Sequence, residues 1–232
     1  LSIFDEAMLA YGDVGRWHVR AGELERACAT NCAEYVTLQS DLAAHDHGSK
    51  MSQARKVLSG LGFEQERQEM SVQTLSVGWQ MRLVLTKLLL QDADMYLFDE
   101  PTNHLDLQAR EWLCRFLRQS RSGYLLISHD RYVLDQVCEK TLVLRQGKLH
   151  LYDGNYSYYR QMYEEQAAHF RSAKAAEERE IARRQEWIER FKAKASTAKR
   201  ARSMEKRLDK MERLEFDEEM LPEIGLPFPP LE

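Results

Sequence analysis

Two short apolar segments, separated by an amphipathic one, constrain the fold of this 232-residue chain most strongly. MYLF has the length and the apolar content of a short buried strand, and YLLIS those of a second short apolar strand. Between them, LQAREWLCRFLRQ carries apolar residues at helical spacing. Strands that alternate with helices form parallel βαβ units, which are right-handed in nearly all proteins. The sequence therefore predicts an α/β fold with a parallel sheet.

The region before this unit is predicted to be helical. AGELERACATNCAEYVTLQSDLAA and SQARKVLSGLGF place apolar residues mostly three, four and seven positions apart, and the polar stretch HDHGS separates them. Cys28 and Cys32 are four residues apart on the first of these predicted helices, as in half of a metal site. No second pair matches them, so ordinary packing is favoured, and the two histidines of HDHGS are interpreted as part of a polar loop.

The segments that flank the unit directly carry clear end signals. LSVGWQMRLVLTKLLL is predicted to be a helix with Ser76 at its N-cap, because a serine oxygen can accept a hydrogen bond from a free backbone N–H. TLVLRQGKLHLY is predicted to be a β-hairpin that turns at Gln146 and Gly147.

Residues 153–220 are predicted to form an antiparallel helical hairpin with two narrow apolar seams. The net charge of the chain is −4, yet 10 basic and 3 acidic residues lie between Arg183 and Arg207. Such a local excess suits a negatively charged partner. Residues 221–232 contain four of the five prolines and are predicted to be an extended tether.

Composition excludes several classes of protein. No uninterrupted apolar stretch approaches the roughly 18 residues of a membrane-spanning helix. Four cysteines without a C-x-x-C pair are too few for a disulfide scaffold and favour a reducing compartment. No targeting leader is visible at Leu1. A cytoplasmic location is therefore expected.

Asp99 and Glu100 follow the first predicted strand directly. Neighbouring side chains on a strand point to opposite faces, so the two carboxylates are expected to have different roles unless the chain turns between them. At the carboxyl end of a parallel strand, Asp99 suits contact with Mg²⁺, and Glu100 suits activation of a water that attacks phosphorus. The alternative is a capped strand end with Pro101 in a turn.

Two further groups could contact phosphate, and one of them, His129, is predicted to lie at the same edge of the sheet as the two acids. His129 follows the second strand, where an imidazole could contact a phosphate oxygen, although it could also be structural, and Asp130 could cap the next helix. Ser76 and Gly78 lie at a predicted helix N-terminus, which presents free N–H groups to an anion. Each signal alone is weak.

The order of these motifs resembles the second half of an ABC-type ATP-binding cassette. LSVGWQMR resembles the signature motif, DMYLFDEP the Walker B strand, TNHLD the D-loop and LLISHDR the H-loop. Three details narrow the resemblance to the ABC-F family: Gly-Trp in the signature, Asn-His-Leu-Asp in the D-loop, and YDGNYSYY before a basic hairpin. The resemblance extends from about Thr74 to Leu231. Val77 departs from the usual signature glycine, and Trp79 from the common glutamine.

The resemblance implies a partial ABC-type ATPase domain at residues 1–152. Within it, residues 1–92 would form the helical subdomain with the signature, and residues 93–152 the parallel-sheet βαβ core with the Walker B, D-loop and H-loop motifs. Residues 153–220 would be an α-helical hairpin linker. Residues 221–232 would lead to a second ABC domain on the same chain, and the resemblance implies no attached membrane domain.

For catalysis, the resemblance implies that Asp99 acts on Mg²⁺, that Glu100 is the catalytic base and that His129 senses the γ-phosphate of ATP. The phosphate-binding pattern G-x-x-x-x-G-K-[ST] does not occur in these 232 residues. This chain alone is therefore expected not to hydrolyse ATP, and the pattern is expected upstream of Leu1 in the complete gene.

The resemblance also implies contacts between two cassettes. Ser76 and Gly78 would contact the γ-phosphate of an ATP held by the opposite cassette, and Asp106 would reach across the interface.

Within the ABC-F family such a linker reaches toward tRNA on the ribosome, so rRNA and tRNA are the implied partners. The residues assigned to RNA contact are Lys192, Lys194, Lys199, Arg200 and Arg202. Two alternatives are the ATP-binding subunit of an ABC membrane transporter, which would need no basic hairpin, and a non-catalytic RNA-binding module.

Overall fold

The computed structural model describes residues 1–145, 147–192 and 203, without the side chains of residues 191 and 192. The chain forms two compact units, Leu1–Cys138 and Glu139–Glu232. The predicted β-hairpin thus belongs to the second unit, and the functional division at residue 152 stays a prediction. Helices, a small parallel sheet and an antiparallel β-hairpin make up the described chain, which confirms the predicted α/β class.

Helices dominate the first part of the first unit. They are α1 (Ile3–Met8), α2 (Asp13–Arg26), α3 (Ala33–Ala44), α4 (His47–Gly60), α5 (Gln65–Gln68) and α6 (Val77–Leu90). Short 3₁₀ turns lie at Leu9–Tyr11 and Val72–Thr74. Helix α6 begins directly after Ser76, as predicted.

The βαβ unit follows α6. Strand β1 (Met95–Asp99) pairs in parallel with β2 (Gly123–Ile127), and α7 (Leu107–Gln119) connects them. Helix α8 (Arg131–Val137) comes directly after β2. The predicted parallel pair is confirmed, and α7 has the predicted bounds.

The expectation that β1 is a buried strand is wrong for one of its two faces. Tyr96 and Phe98 are buried, whereas Leu97 is 69% exposed. Side chains alternate along a strand, and in the described chain the apolar core covers only the face that carries Tyr96 and Phe98.

The core of the first unit joins α4 and α6 to α7. Its largest buried side chains include Leu58, Phe63, Leu89 and Leu113, which are at most 2% exposed. Burial of one such side chain contributes about 1.5–3 kcal/mol to stability. Gly60 lies so close to the Trp112 ring that an added Cβ would clash with it, which explains why a glycine ends α4. This core holds the signature helix α6 and the βαβ unit in one body.

Two details of the helical region differ from prediction. Cys28 and Cys32 do not share a helix, because Cys28 adopts a left-handed φ of 55° after α2 ends and Cys32 caps the start of α3. A left-handed residue cannot continue a right-handed helix. The polar break after α3 is also shorter than expected, because His47 already begins α4 after a left-handed Asp46.

The second unit begins with the predicted hairpin. Strands β3 (Thr141–Arg145) and β4 (Lys148–Tyr152) pair antiparallel, and Gly147 has the positive φ of 80° that a tight turn requires. Gln146, the other predicted turn residue, lies outside the described residues.

Helix α9 (Tyr156–Lys192) follows the hairpin. Its first turn packs on β4, with the rings of Tyr152 and Tyr159 4.9 Å apart. Apart from Ser203, the second arm of the predicted helical hairpin and the tether at 221–232 lie outside the described residues. In the part of the chain that the structure describes, no helix has the length and hydrophobicity needed to span a membrane.

Candidate functional site

The acid turn, residues 99–101, begins where β1 ends. Glu100 adopts a left-handed φ of 48°, which costs a residue other than glycine about 1–3 kcal/mol. Its N–H donates to the carbonyl of Ile127 at 2.8 Å, and its own carbonyl accepts from Asn103 N–H at 3.3 Å. The chain therefore turns between the two carboxylates: Asp99 remains exposed at the strand end, and the Glu100 side chain is only 18% exposed.

The strand register brings Glu100 to His129. Asp99 lies opposite Ile127, so the residues that follow the two strands meet at one edge of the sheet. The backbone N–H of His129 donates to Glu100 Oε2 at 3.3 Å, and His129 Nε2 lies 3.2 Å from Glu100 Oε1. The second contact is close but poorly aligned, so Oε1 is buried without a hydrogen-bond donor among the described residues. That oxygen therefore has an unused lone pair, which is the feature that a proton acceptor needs.

A cleft of about 570 Å³ opens over this pair. Its lining includes Glu100, Asn103, Arg110, His129 and Asp130. The guanidinium of Arg110 pairs with Asp130 at 2.8 Å. Asp130 also accepts the N–H of Val133, so it does cap α8. The imidazole of His129 is 92% exposed and points into open space where a ligand could reach it.

The signature turn, residues 76–79, opens α6. Ser76 occupies the N-cap with an extended backbone, but its hydroxyl makes no capping hydrogen bond. Both Ser76 and Val77 are exposed, the latter to 72%. A Cβ added to Gly78 would lie 3.8 Å from the ring of His104 in the loop after β1. The hydroxyl and the free N–H groups of this helix end are available to an anion.

Asp106 is more engaged than the sequence indicated. It caps α7 by accepting the N–H of Ala109 at 2.9 Å, and it pairs with Arg82 Nη1 at 2.9 Å. These two contacts, the Ala109 N–H first, lower the pKa of Asp106 below its usual value. The loop that carries Asp106 is thereby bound to α6.

The structure unites some predicted residues and leaves others untested. Glu100 and His129 are in contact, Asp99 is adjacent to them, and the signature turn touches the loop of Asp106. Sequence reasoning missed Arg82 and Arg110, since neither stands out by type or spacing. Lys192 ends α9, and its side chain, with Lys194, Lys199, Arg200 and Arg202, lies outside the described parts.

The chain is similar to ATP-binding proteins along most of its length. Two family profiles, both described as ABC transporter, match residues 16–103 and 142–224. The probable ATP-binding protein YheS of Haemophilus influenzae is 40% identical over 191 residues, which cover 82% of this chain and 30% of that protein. ABC transporter F family member 2 of Arabidopsis thaliana is 39% identical over 185 residues, 80% of this chain and 27% of that protein. The chain thus spans less than a third of either relative.

A solved structure is also similar to part of the chain. It contains the archaeal ribosome recycling factor aABCE1 in complex with the ribosomal stalk protein aP1. The match has 28% identity and a TM-score of 0.38 and covers 47% of this chain and 23% of that one.

Proposed function

Because the chain belongs to the ABC-F family of ATP-binding proteins, we propose that it contributes the catalytic carboxylate of an ATPase site and acts on the ribosome as a translation factor. One observation carries the catalytic part of this proposal. The parallel pairing of β1 and β2 places a shielded carboxylate, Glu100, in contact with an exposed imidazole, His129, at the edge of a cleft.

Glu100 acts as the general base in this proposal. Its Oε1 takes a proton from the attacking water, and the N–H of His129 holds the other oxygen in place. The left-handed turn at Glu100 fixes the carboxylate direction before any ligand arrives. His129 donates to a γ-phosphate oxygen from the solvent side of the same cleft.

The residues at the sheet edge fit a Mg²⁺–ATP complex. Asp99 has an exposed carboxylate at the carboxyl end of β1, and no cluster of three or more ligating side chains occurs among the described residues. Mg²⁺ is usually held by one or two carboxylates together with waters and substrate phosphates, so one open carboxylate suffices. The ion would supply charge stabilisation at the phosphates.

Ser76 and Gly78 are assigned to the γ-phosphate of a nucleotide held by a second cassette. Their position supports this assignment, since Ser76 is exposed and its hydroxyl makes no capping hydrogen bond. Asp106 joins the same interface through its exposed side, because a carboxylate oxygen that accepts one hydrogen bond can accept another.

The ribosomal role is supported by the distribution of charge along the linker. In the described part of α9, Arg160, Arg184 and Arg190 each pair with a glutamate four residues earlier or later. Between Arg190 and Glu205 the sequence contains basic residues and no acidic ones. This uncompensated segment includes every lysine and arginine assigned to rRNA and tRNA contact, and phosphate backbones attract such segments.

The test uses the full-length gene product. Glu100→Gln should retain bound ATP and accumulate on ribosomes, whereas Glu111→Gln, on the exposed face of α7, should behave like wild type. Reversing the charges of Lys192, Lys194, Lys199 and Arg200 should weaken sedimentation with ribosomes and reduce the salt dependence of the binding that remains. If accumulation of Glu100→Gln on ribosomes did not depend on ATP, the catalytic assignment would be contradicted. Unchanged ribosome binding after charge reversal would contradict the linker assignment.

A further inference from the structure

A single arginine joins the signature helix to the loop after β1. The Arg82 side chain is only 11% exposed. Its Nε donates to the carbonyl of His104 at 2.7 Å, and its Nη1 donates to Asp106 Oδ2 at 2.9 Å and to the carbonyl of Leu61 at 3.3 Å. One guanidinium thus binds the loop at two points and anchors both to the residue that follows α4.

The ring of Trp79 supports this guanidinium. Arg82 Cζ lies 4.5 Å from the ring centroid, and Arg67 Cζ lies 4.0 Å from it. Phe63 meets the same ring edge to face at 5.0 Å. The space beside it is tight, since a Cβ on Gly62 would lie 3.0 Å from Arg82 Nη1. The planar fork of an arginine fits these stacking and bonding demands together, which a lysine cannot do.

The other end of the loop is bound to the acid turn. Asn103 N–H donates to the carbonyl of Glu100, and Leu105 N–H donates to the carbonyl of Thr102. The loop is therefore hydrogen-bonded to Glu100 at one end and to Arg82 of α6 at the other. Within it, His104 lies beside Gly78. A displacement of the Arg82 guanidinium would move the signature turn relative to the acid turn.

We infer that Arg82 is a positioning residue that sets the spacing between the signature turn and the loop at residues 102–106. This inference rests on the proposed function, because the spacing matters only if both elements meet nucleotide. Arg82 itself touches no reacting group. Its contribution should therefore appear in turnover and in loop order rather than in affinity for ATP.

The first measurement is amide hydrogen exchange of the loop in nucleotide-free protein. Arg82→Lys keeps the charge but loses the fork, and Arg55→Lys is the matched control, since Arg55 stacks on Phe4 and pairs with an exposed glutamate elsewhere in the first unit. Exchange at residues 103–106 should be about tenfold faster in Arg82→Lys, the loss expected for one charge-assisted hydrogen bond. Exchange in the control should match wild type. Unchanged loop exchange in Arg82→Lys would overturn the inference.

The second measurement is steady-state ATP hydrolysis by the full-length gene product. Arg82→Lys and Arg82→Gln should both lower kcat by about tenfold with KM for ATP within about twofold, because the lost interaction does not bind substrate. A wild-type kcat in Arg82→Gln would overturn the inference. A fall in kcat that is explained by global unfolding, and that the control Arg55→Lys shows to the same extent, would overturn it as well. An inactive wild type would instead contradict the proposed function, and loop exchange would still decide whether Arg82 couples the two elements.

Discussion

The acid turn and the signature turn are both assigned to nucleotide phosphates, but the chain builds them in opposite ways. Glu100 is strained, shielded and held by β2 and His129. Ser76 has an ordinary extended backbone, an exposed side chain and a hydroxyl that caps nothing. The acid turn is organised by its own unit, whereas the signature turn presents its groups outward. This difference is what a site shared between two cassettes would require.

Removing the base should have the largest effect. Glu100→Gln keeps the size of the side chain but cannot take a proton, so hydrolysis by the full-length gene product should fall by about 10²–10⁴-fold. Single-turnover kinetics would measure this step, with Glu111→Gln as the control. A hydrolysis rate equal to that of the control would show that the shielded carboxylate of Glu100 has a structural role.

Removing the cap of α7 should cost stability. Asp106→Ala should lower the free energy of unfolding by about 0.5–2 kcal/mol, because the N–H of Ala109 loses its acceptor. The ion pair between Asp106 and Arg82 adds little to this loss of stability, because the Asp106 side chain is exposed. Urea denaturation would measure the loss, and Asp106→Asn, which can still cap, should recover most of it. Equal losses in both variants would assign the effect to the ion pair.

The same residue should make stability depend on acid. The folded-state pKa of Asp106 lies below its unfolded value, so its contribution is complete above the unfolded pKa of about 3.9 and is lost as the pH falls through the folded-state pKa. The difference in stability between wild type and Asp106→Asn should therefore shrink as acid is added below about pH 4. A difference that stays constant through this range would contradict the assignment.

Relieving the strain of the acid turn should stabilise the protein while removing its base. Glycine adopts a positive φ without steric cost, so Glu100→Gly should be more stable than Glu100→Ala by about 1 kcal/mol. Comparing these two variants isolates the contribution of backbone strain to stability, because both lack the carboxylate. Thermal or urea unfolding would measure the difference, and equal stabilities would mean that the turn relaxes when the side chain is removed.

The smallest effect is expected at the signature turn. Ser76→Ala should change the free energy of unfolding by less than about 0.5 kcal/mol, since the hydroxyl makes no capping bond. Asp106→Ala is the natural comparison, because both residues occupy N-caps. A loss at Ser76 as large as that at Asp106 would show that the serine caps α6 in solution and would weaken its assignment to a ligand.

Local patterns predicted the local structure well. The apolar periodicity of α7 and the serine before α6 depend on residues within one or two helical turns, and both elements begin as expected. The break at Cys28 was missed, because the apolar spacing continues through it and does not register a left-handed backbone. The exposure of Leu97 was missed as well, since strand sequence does not reveal which face other elements cover.

By itself, the sequence determined the order of the motifs and the family, and it identified Asp99, Glu100 and His129 as the candidate site residues. The tertiary structure alone decided that Glu100 turns left-handed into contact with His129, and that Arg82 binds a loop 22 to 24 residues away. Helix and strand preferences act between near neighbours, so they are readable in the chain. Contacts between distant residues depend on strand register and core packing, which exist only once the chain has folded.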